Sequence, residues 1–138
     1  MTGAATRHFA LARVLDMRPL TMGDGRCAWG MEIKPLHMNP YGVVHGGLLF
    51  TLIDYAMGGA LTSTLEGGQR CTTLEIKINY LAPATEGDVT AAAWVVSKGG
   101  RIAVMEGKVT AGEKLLAVAT GTFYILSGPD QPQRAEVS

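Results

Sequence analysis

Charge is what this sequence has least of. Charged residues make up 17% of the 138, below the ~25% usual for soluble domains, and twelve Lys+Arg balance twelve Asp+Glu for a net charge of +0. No chain-wide positive field exists to hold nucleic acid or an anionic membrane surface, so neither is expected as a partner. Any anionic ligand must be held by local groups. So few charges also imply that part of the surface is covered by self-association.

Cysteine is nearly absent too. Cys27 and Cys71 lie far apart, outside any CxxC or Cys/His cluster, which excludes a disulfide scaffold and a zinc site. They read as free thiols in a reducing compartment, and a cytoplasmic location is expected. HExxH, GxSxG and GxGxxG are all missing, which removes the main support for zinc hydrolase, serine hydrolase and dinucleotide chemistry. Neither a metal nor a separate cofactor is expected. The apolar run Gly46 to Thr62 is short and carries Asp54 at its centre. A carboxylate there would cost ~3 kcal/mol in hydrocarbon, so the run is a core helix and not a membrane span. Arg7 and Arg13 interrupt the N-terminal stretch, so no signal peptide is expected.

What is present is a hydrophobic fraction of 47%, enough for one core without staples. Residues 1–126 read as one domain. The segment 127–138, rich in Pro, Gln and charge, reads as a disordered tail. β-Branched and aromatic runs bounded by Gly, Pro or Asp predict strands at Leu11–Met17, Cys27–Ile33, Thr72–Leu81, Val89–Ser97, Ile102–Ala111 and Lys114–Leu126. Short connections make the last four a meander of antiparallel neighbours. Between Val44 and about Thr64, Leu48, Leu49, Leu52, Ile53, Ala56, Met57, Ala60 and Leu61 recur at helical spacing. The expected architecture is α+β, a curved antiparallel sheet wrapped around one long central helix.

The chemistry concentrates where Asn39-Pro40-Tyr41-Gly42-Val43-Val44-His45-Gly46-Gly47 runs into that helix. The first-turn N–H groups of a helix have no intrahelical partner, and glycine lets a ligand approach the backbone closely, so such an end suits an oxyanion or a phosphate. Close packing of helix on sheet also explains the glycines. Asp54 is the sole side chain charged at neutral pH between His45 and Glu66. A carboxylate in a core helix is either tolerated for function or satisfied by a neighbouring Tyr or Thr hydroxyl. His45 suits a general base or a loop anchor. His8 and His37 give no metal-ligand spacing with it.

Asn39, the His45-Gly46-Gly47 turn, Asp54 nine residues after His45, and the strand end Ile78-Asn79-Tyr80-Leu81-Ala82-Pro83 together resemble the hotdog-fold acyl-CoA thioesterases of the phenylacetate-degradation (PaaI) type. The resemblance spans roughly Leu11 to Leu126. It implies that Asp54 is the general base or nucleophile and that Gly47 N–H polarises the thioester carbonyl. Asn39 would hold the carbonyl or the attacking water, and His45 would orient the loop. Relatives place a Ser or Thr on the following strand beside the carboxylate, which counting back from Pro83 maps to Thr73. Strand parity, however, puts Thr73 with Glu75 and Lys77, and Thr72 with Leu74, Ile76 and Ile78. The turn Lys98-Gly99-Gly100-Arg101-Ile102-Ala103 corresponds to where relatives grip coenzyme A. It also reads as an ordinary charged turn.

Gly47 and Asp54 are seven residues apart, about 10 Å along a helix, too far for both to act on one carbonyl. A second antiparallel copy would bring one chain's Asp54 to the other's Gly47, so a homodimer is the expected minimal unit and a homotetramer the expected assembly. The leading expectation is hydrolysis of an aryl- or medium-chain acyl-CoA. A hydratase relying on His45 and a non-catalytic acyl-CoA-binding module are the alternatives.

Overall fold

The computed structural model describes residues 9–127, so the expectation for the tail lies outside the described residues except at Ser127. A short helix α1 (Ala10–Val14) leads into β1 (Met17–Gly23) and β2 (Arg26–Glu32). A single 3-10 turn (Pro35–His37) follows, then the long helix α2 (Gly46–Thr62) and strands β3 (Arg70–Tyr80), β4 (Asp88–Lys98), β5 (Ile102–Ala111) and β6 (Lys114–Leu126). All strand pairs are antiparallel, in one sheet of order β1-β2-β4-β5-β6-β3.

Two expectations fail here. The run Leu11–Met17 is not a strand: Arg13 N–H donates to the Phe9 carbonyl and Leu15 N–H to that of Leu11, forming α1. Its inward residues are Phe9 and Ala12, three apart, while Leu11 and Val14 point to solvent, so the period is helical and not two. Asp16, at φ 55, turns the chain into β1. That strand continues through Pro19, which an edge position tolerates because no ladder partner needs its missing N–H.

The second failure is the meander. β4, β5 and β6 are sequential neighbours, but β3 pairs with β6 at the far edge, and β4 pairs instead with β2. The connection 81–87 is held against the segment between β2 and α2: Val44 N–H donates to the Ala84 carbonyl and Ile33 N–H to that of Gly87. Wrapping one sheet around one helix requires such a crossing, and loop length alone does not reveal it.

α2 fills the concave face. Leu49, Leu52, Ile53, Ala56, Met57, Ala60 and Leu61 are buried, at the i, i+3, i+4 spacing of an inward face. Glycines beneath the helix leave room for its side chains against the sheet. A Cβ at Gly107 would come within 2.5 Å of Ile53 Cδ1, and one at Gly121 within 2.8 Å of Met57 Sδ. At the C-terminal end, Ser63 Oγ donates to the Ala60 carbonyl and accepts from Gly25 N–H, tying α2 to the β1–β2 turn. His37 is the one buried charged or polar side chain among the described residues. Its Nδ1 accepts from Lys34 N–H, so Nε2 carries the proton and donates to the Leu15 carbonyl. It is a structural pin, joining α1 to the turn that precedes α2.

Candidate active site

The loop that enters α2 is shaped by its own polar side chains. Asn39 Oδ1 accepts from Tyr41 N–H at 2.9 Å and from Val43 N–H at 3.3 Å, and the Asn39 and Val43 backbones close the loop at 2.7 Å. The Asn39 carbonyl oxygen is thus consumed in the loop, leaving only its Nδ2–H2 group to face a ligand.

His45 is the N-cap of α2, with extended backbone (φ −60, ψ 127), and its Nδ1 accepts from Gly47 N–H at 2.9 Å. This differs from the sequence expectation in one respect. The Gly47 amide is oriented outward at an exposed helix start, but the imidazole already occupies it. Gly46 N–H has no partner among the described residues. The Gly46 carbonyl accepts from Tyr80 Oη at 2.7 Å, and the Tyr80 ring lies so close that a Cβ at Gly46 would stand 3.1 Å from it. Burial pushes the Tyr80 hydroxyl above its usual pKa, keeping it a donor.

Two turns further along α2, Asp54 is half-buried, and Thr73 Oγ1 donates to its Oδ1 at 2.7 Å. The parity conflict is resolved by a β-bulge. Thr73 pairs with Phe123 and Glu75 with Thr122, leaving Leu74 unpaired and looped outward. The extra residue flips the alternation, so Cys71 and Thr73 face α2 before the bulge and Ile76 and Ile78 face it afterwards. Asp54 Oδ2 has no hydrogen-bond or ion-pair partner among the described residues.

A cavity of about 580 Å³ opens beside this carboxylate, walled chiefly by Met22, Trp29, Tyr55, Gly58, Cys71 and Phe123. Tyr55 stacks on Trp29 (4.5 Å between centroids, 15° between planes), which fixes the aromatic wall. Burial raises the Tyr55 hydroxyl pKa, a hydrogen bond with the Ala12 backbone offsets this in part, and the neighbouring Asp54 charge adds to the rise. Cys71 is held as a neutral thiol chiefly by burial; its hydrogen bond with Thr62 acts in the opposite sense, and the Asp54 charge reinforces the burial. The surroundings of Asp54 therefore offer one acceptor oxygen, neutral hydroxyls and a thiol, on the rim of an apolar chamber. That is the setting in which a carboxylate can take a proton from water.

The Lys98–Ala103 turn lies at the opposite end of α2 from His45. Lys98 Nζ donates to the Thr64 carbonyl at 2.9 Å, and Arg101 Nη1 reaches Tyr124 Oη at 3.4 Å. Gly99 N–H is occupied by the Ile102 carbonyl, and Ala103 is buried in the core, so five of the six residues, Lys98 to Ile102, are exposed, with the Gly99 amide already engaged. Within one chain the structure brings Thr73 to Asp54 and His45 to Gly47. It leaves these two pairs and the cationic turn strung out along α2. Sequence reasoning passed over Tyr80 as a side chain with a role; an aromatic hydroxyl seven residues after Thr73 on the strand beside α2 was the available signal.

Residues 41–118 match the Thioesterase superfamily. A putative esterase of Archaeoglobus fulgidus is 38% identical over 83% of this chain and 73% of its own length. Human acyl-coenzyme A thioesterase 13 is 32% identical over 88% of this chain and 89% of its own. The solved Escherichia coli PaaI protein superposes with a TM-score of 0.82 at 24% identity, covering 91% of this chain and 90% of that one, and so shares its fold. With a helix wrapped by a six-stranded antiparallel sheet and these relatives, the chain belongs to the thioesterase superfamily, as a hotdog-fold thioester hydrolase.

Proposed function

We propose that the chain hydrolyses aryl- or medium-chain acyl-CoA thioesters to free CoA and a carboxylic acid, with Asp54 as general base or nucleophile. The observation that carries this reading is the half-buried Asp54 at the cavity rim, one oxygen held by Thr73 and the other unpartnered. A carboxylate so held is oriented without being neutralised, and can activate water or attack the thioester carbon directly. The apolar cavity receives the acyl group. The human relative is itself named an acyl-coenzyme A thioesterase, which supports the substrate class.

The carbonyl oxygen needs donors where negative charge develops. Gly47 N–H serves once the His45 ring turns aside, with Asn39 Nδ2 as the second group. Because about 10 Å of helix separates Gly47 from Asp54, these donors come from a second copy. β3 supports this arrangement: it is an edge strand of eleven residues with one ladder side unpaired, a natural seam for another β3. A twofold axis there yields two equivalent sites per dimer. Apolar residues exposed on the outer sheet face, including Val104, Leu115 and Val118, suit pairing of dimers into a tetramer. Lys98 and Arg101 receive CoA phosphates. A cytoplasmic location is part of this reading; among the described residues no helix is long and apolar enough to cross a membrane.

The test is release of free thiol from a panel of aryl- and alkyl-CoA thioesters by the wild-type chain and by Asp54→Asn. Turnover of at least one thioester, lost in the variant, is expected. Turnover of none would favour the binding-module reading.

A further inference from the structure

Gly58 and Gly59 sit side by side within α2, where glycine is the poorest helix former after proline. Their reasons for being glycine differ. A Cβ at Gly59 would stand 2.5 Å from Cys27 Sγ, so close packing on β2 excludes any side chain. A Cβ at Gly58 would meet nothing nearer than a Phe123 ring carbon at 4.0 Å, an ordinary contact. Its backbone is not in the left-handed region, so no conformational need explains it either. Among the described residues nothing requires position 58 to lack a side chain.

What position 58 does border is empty space. Asp54, Gly58 and Thr62 succeed one another at intervals of four along α2, on one face, and all three line the 580 Å³ cavity. Gly58 lies about 6 Å from Asp54 along the helix axis, and Thr62 about 12 Å. For a thioester carbonyl placed at Asp54, the cavity offers an acyl chain room along this face, over Gly58 and towards Thr62, with Phe123 and Cys71 as walls. A side chain at 58 would stand in that path.

We infer that Gly58 is the specificity-determining residue of the acyl cavity: its missing side chain opens the channel beyond the first few carbons, and its replacement sets a shorter limit on acyl length. The inference rests on the proposed acyl-CoA reading and adds where the chain runs and what limits it. An apolar acyl group sheathed by Gly58, Phe123 and Cys71 gains affinity with each carbon as long as the channel stays open. That gain is about three- to fourfold per methylene.

The experiment uses the full chain as wild type, Gly58→Ala and Gly58→Leu, with two readouts. The first is calorimetric binding of non-hydrolysable S-alkyl-CoA thioethers from ethyl to decyl. The second is the ratio of kcat/KM for decanoyl-CoA to that for butyryl-CoA, which cancels any general loss of active protein. In the wild type, affinity should climb with alkyl length. In Gly58→Leu the climb should stop at short chains and the ratio should fall by at least about tenfold. Gly58→Ala, which meets no close contact, should shift both in the same direction by less and raise Tm by about 2–5 °C through helix propensity. It keeps the question open to measurement if the leucine variant does not fold. An unchanged length profile in the folded variants overturns the inference, whether or not the enzyme turns over. A shortened binding profile without hydrolysis by any variant would uphold the channel while overturning the hydrolase reading of the site.

Discussion

Thr73 donates to Asp54 at 2.7 Å only because Leu74 is a bulge residue. Without that extra residue the strand would turn Thr73 away from α2, and the Asp54 carboxylate would lose the one hydrogen bond it accepts among the described residues. Replacing Thr73 by Val should therefore lower kcat by about tenfold while leaving KM for acyl-CoA near its wild-type value, because the hydroxyl orients the base without touching the nucleotide. Thr73→Ser should recover most of the loss. Steady-state kinetics of both variants decides; a valine variant as fast as wild type would show that the hydrogen bond has no part in the reaction.

Asp54→Asn should retain the fold and substrate affinity while kcat drops by about a hundredfold or more. His45→Ala should be the milder change in the chemical step, since the ring caps α2 at Gly47 and lies about 10 Å or more from Asp54 in the same chain. The reverse ranking on one active thioester would point to hydratase-like chemistry centred on the histidine.

Mixing subunits tests the shared site. Gly47→Val, whose Cβ would press on the His45 ring at 3.0 Å, and Asp54→Asn should each be nearly inactive as homodimers. Heterodimers of the two should regain one good site out of two. Absence of recovery in heterodimers shown to have formed would overturn the two-copy geometry.

Lys98 and Arg101 are exposed cations with weak protein partners, the Thr64 carbonyl and the Tyr124 hydroxyl. Changing both to Gln should raise KM for CoA thioesters more than for short thioesters without a nucleotide, with kcat little altered. The difference should shrink as added salt shortens the Debye length below ~8 Å. Equal effects on both substrate types would assign the turn to the fold alone.

Cys71 reports on the cavity through its thiol. Burial, reinforced by the Asp54 charge, raises its pKa above that of a free thiol, so the thiolate that reacts with iodoacetamide is scarce at neutral pH. Alkylation of Cys71 should be slow at pH 7 and still accelerating at pH 9, and a bound long-chain S-alkyl-CoA should protect it. Mass-spectrometric rates across that range check both points. A rate that levels off near pH 7 would contradict the burial.

Residue pattern alone determined the long helix, strand β2 before it, the four strands that follow it and the candidate carboxylate. Leu49, Leu52, Ile53, Ala56 and Met57 recur at a period no strand can bury, and Asp54 interrupts them with a charge no core accepts freely. The His45-Gly46-Gly47 turn was legible for the same local reason, a cap followed by two residues without side chains. Tertiary structure decided the rest. The α1 segment, with its mixed apolar pattern, took its period from what Phe9 and Ala12 found to pack against. β3 was placed beside β6 and not β4 by closure of the sheet around α2, which is not encoded in the length of the 81–87 connection. The Leu74 bulge, visible only in the pairing register, reversed the face of Thr73, and the emptiness beside Gly58 appears only when β1, β3 and β6 are in place around it. Local periodicity is written in neighbouring residues. Register, strand order and cavity shape depend on contacts between residues far apart in the chain, and these exist only in the folded molecule.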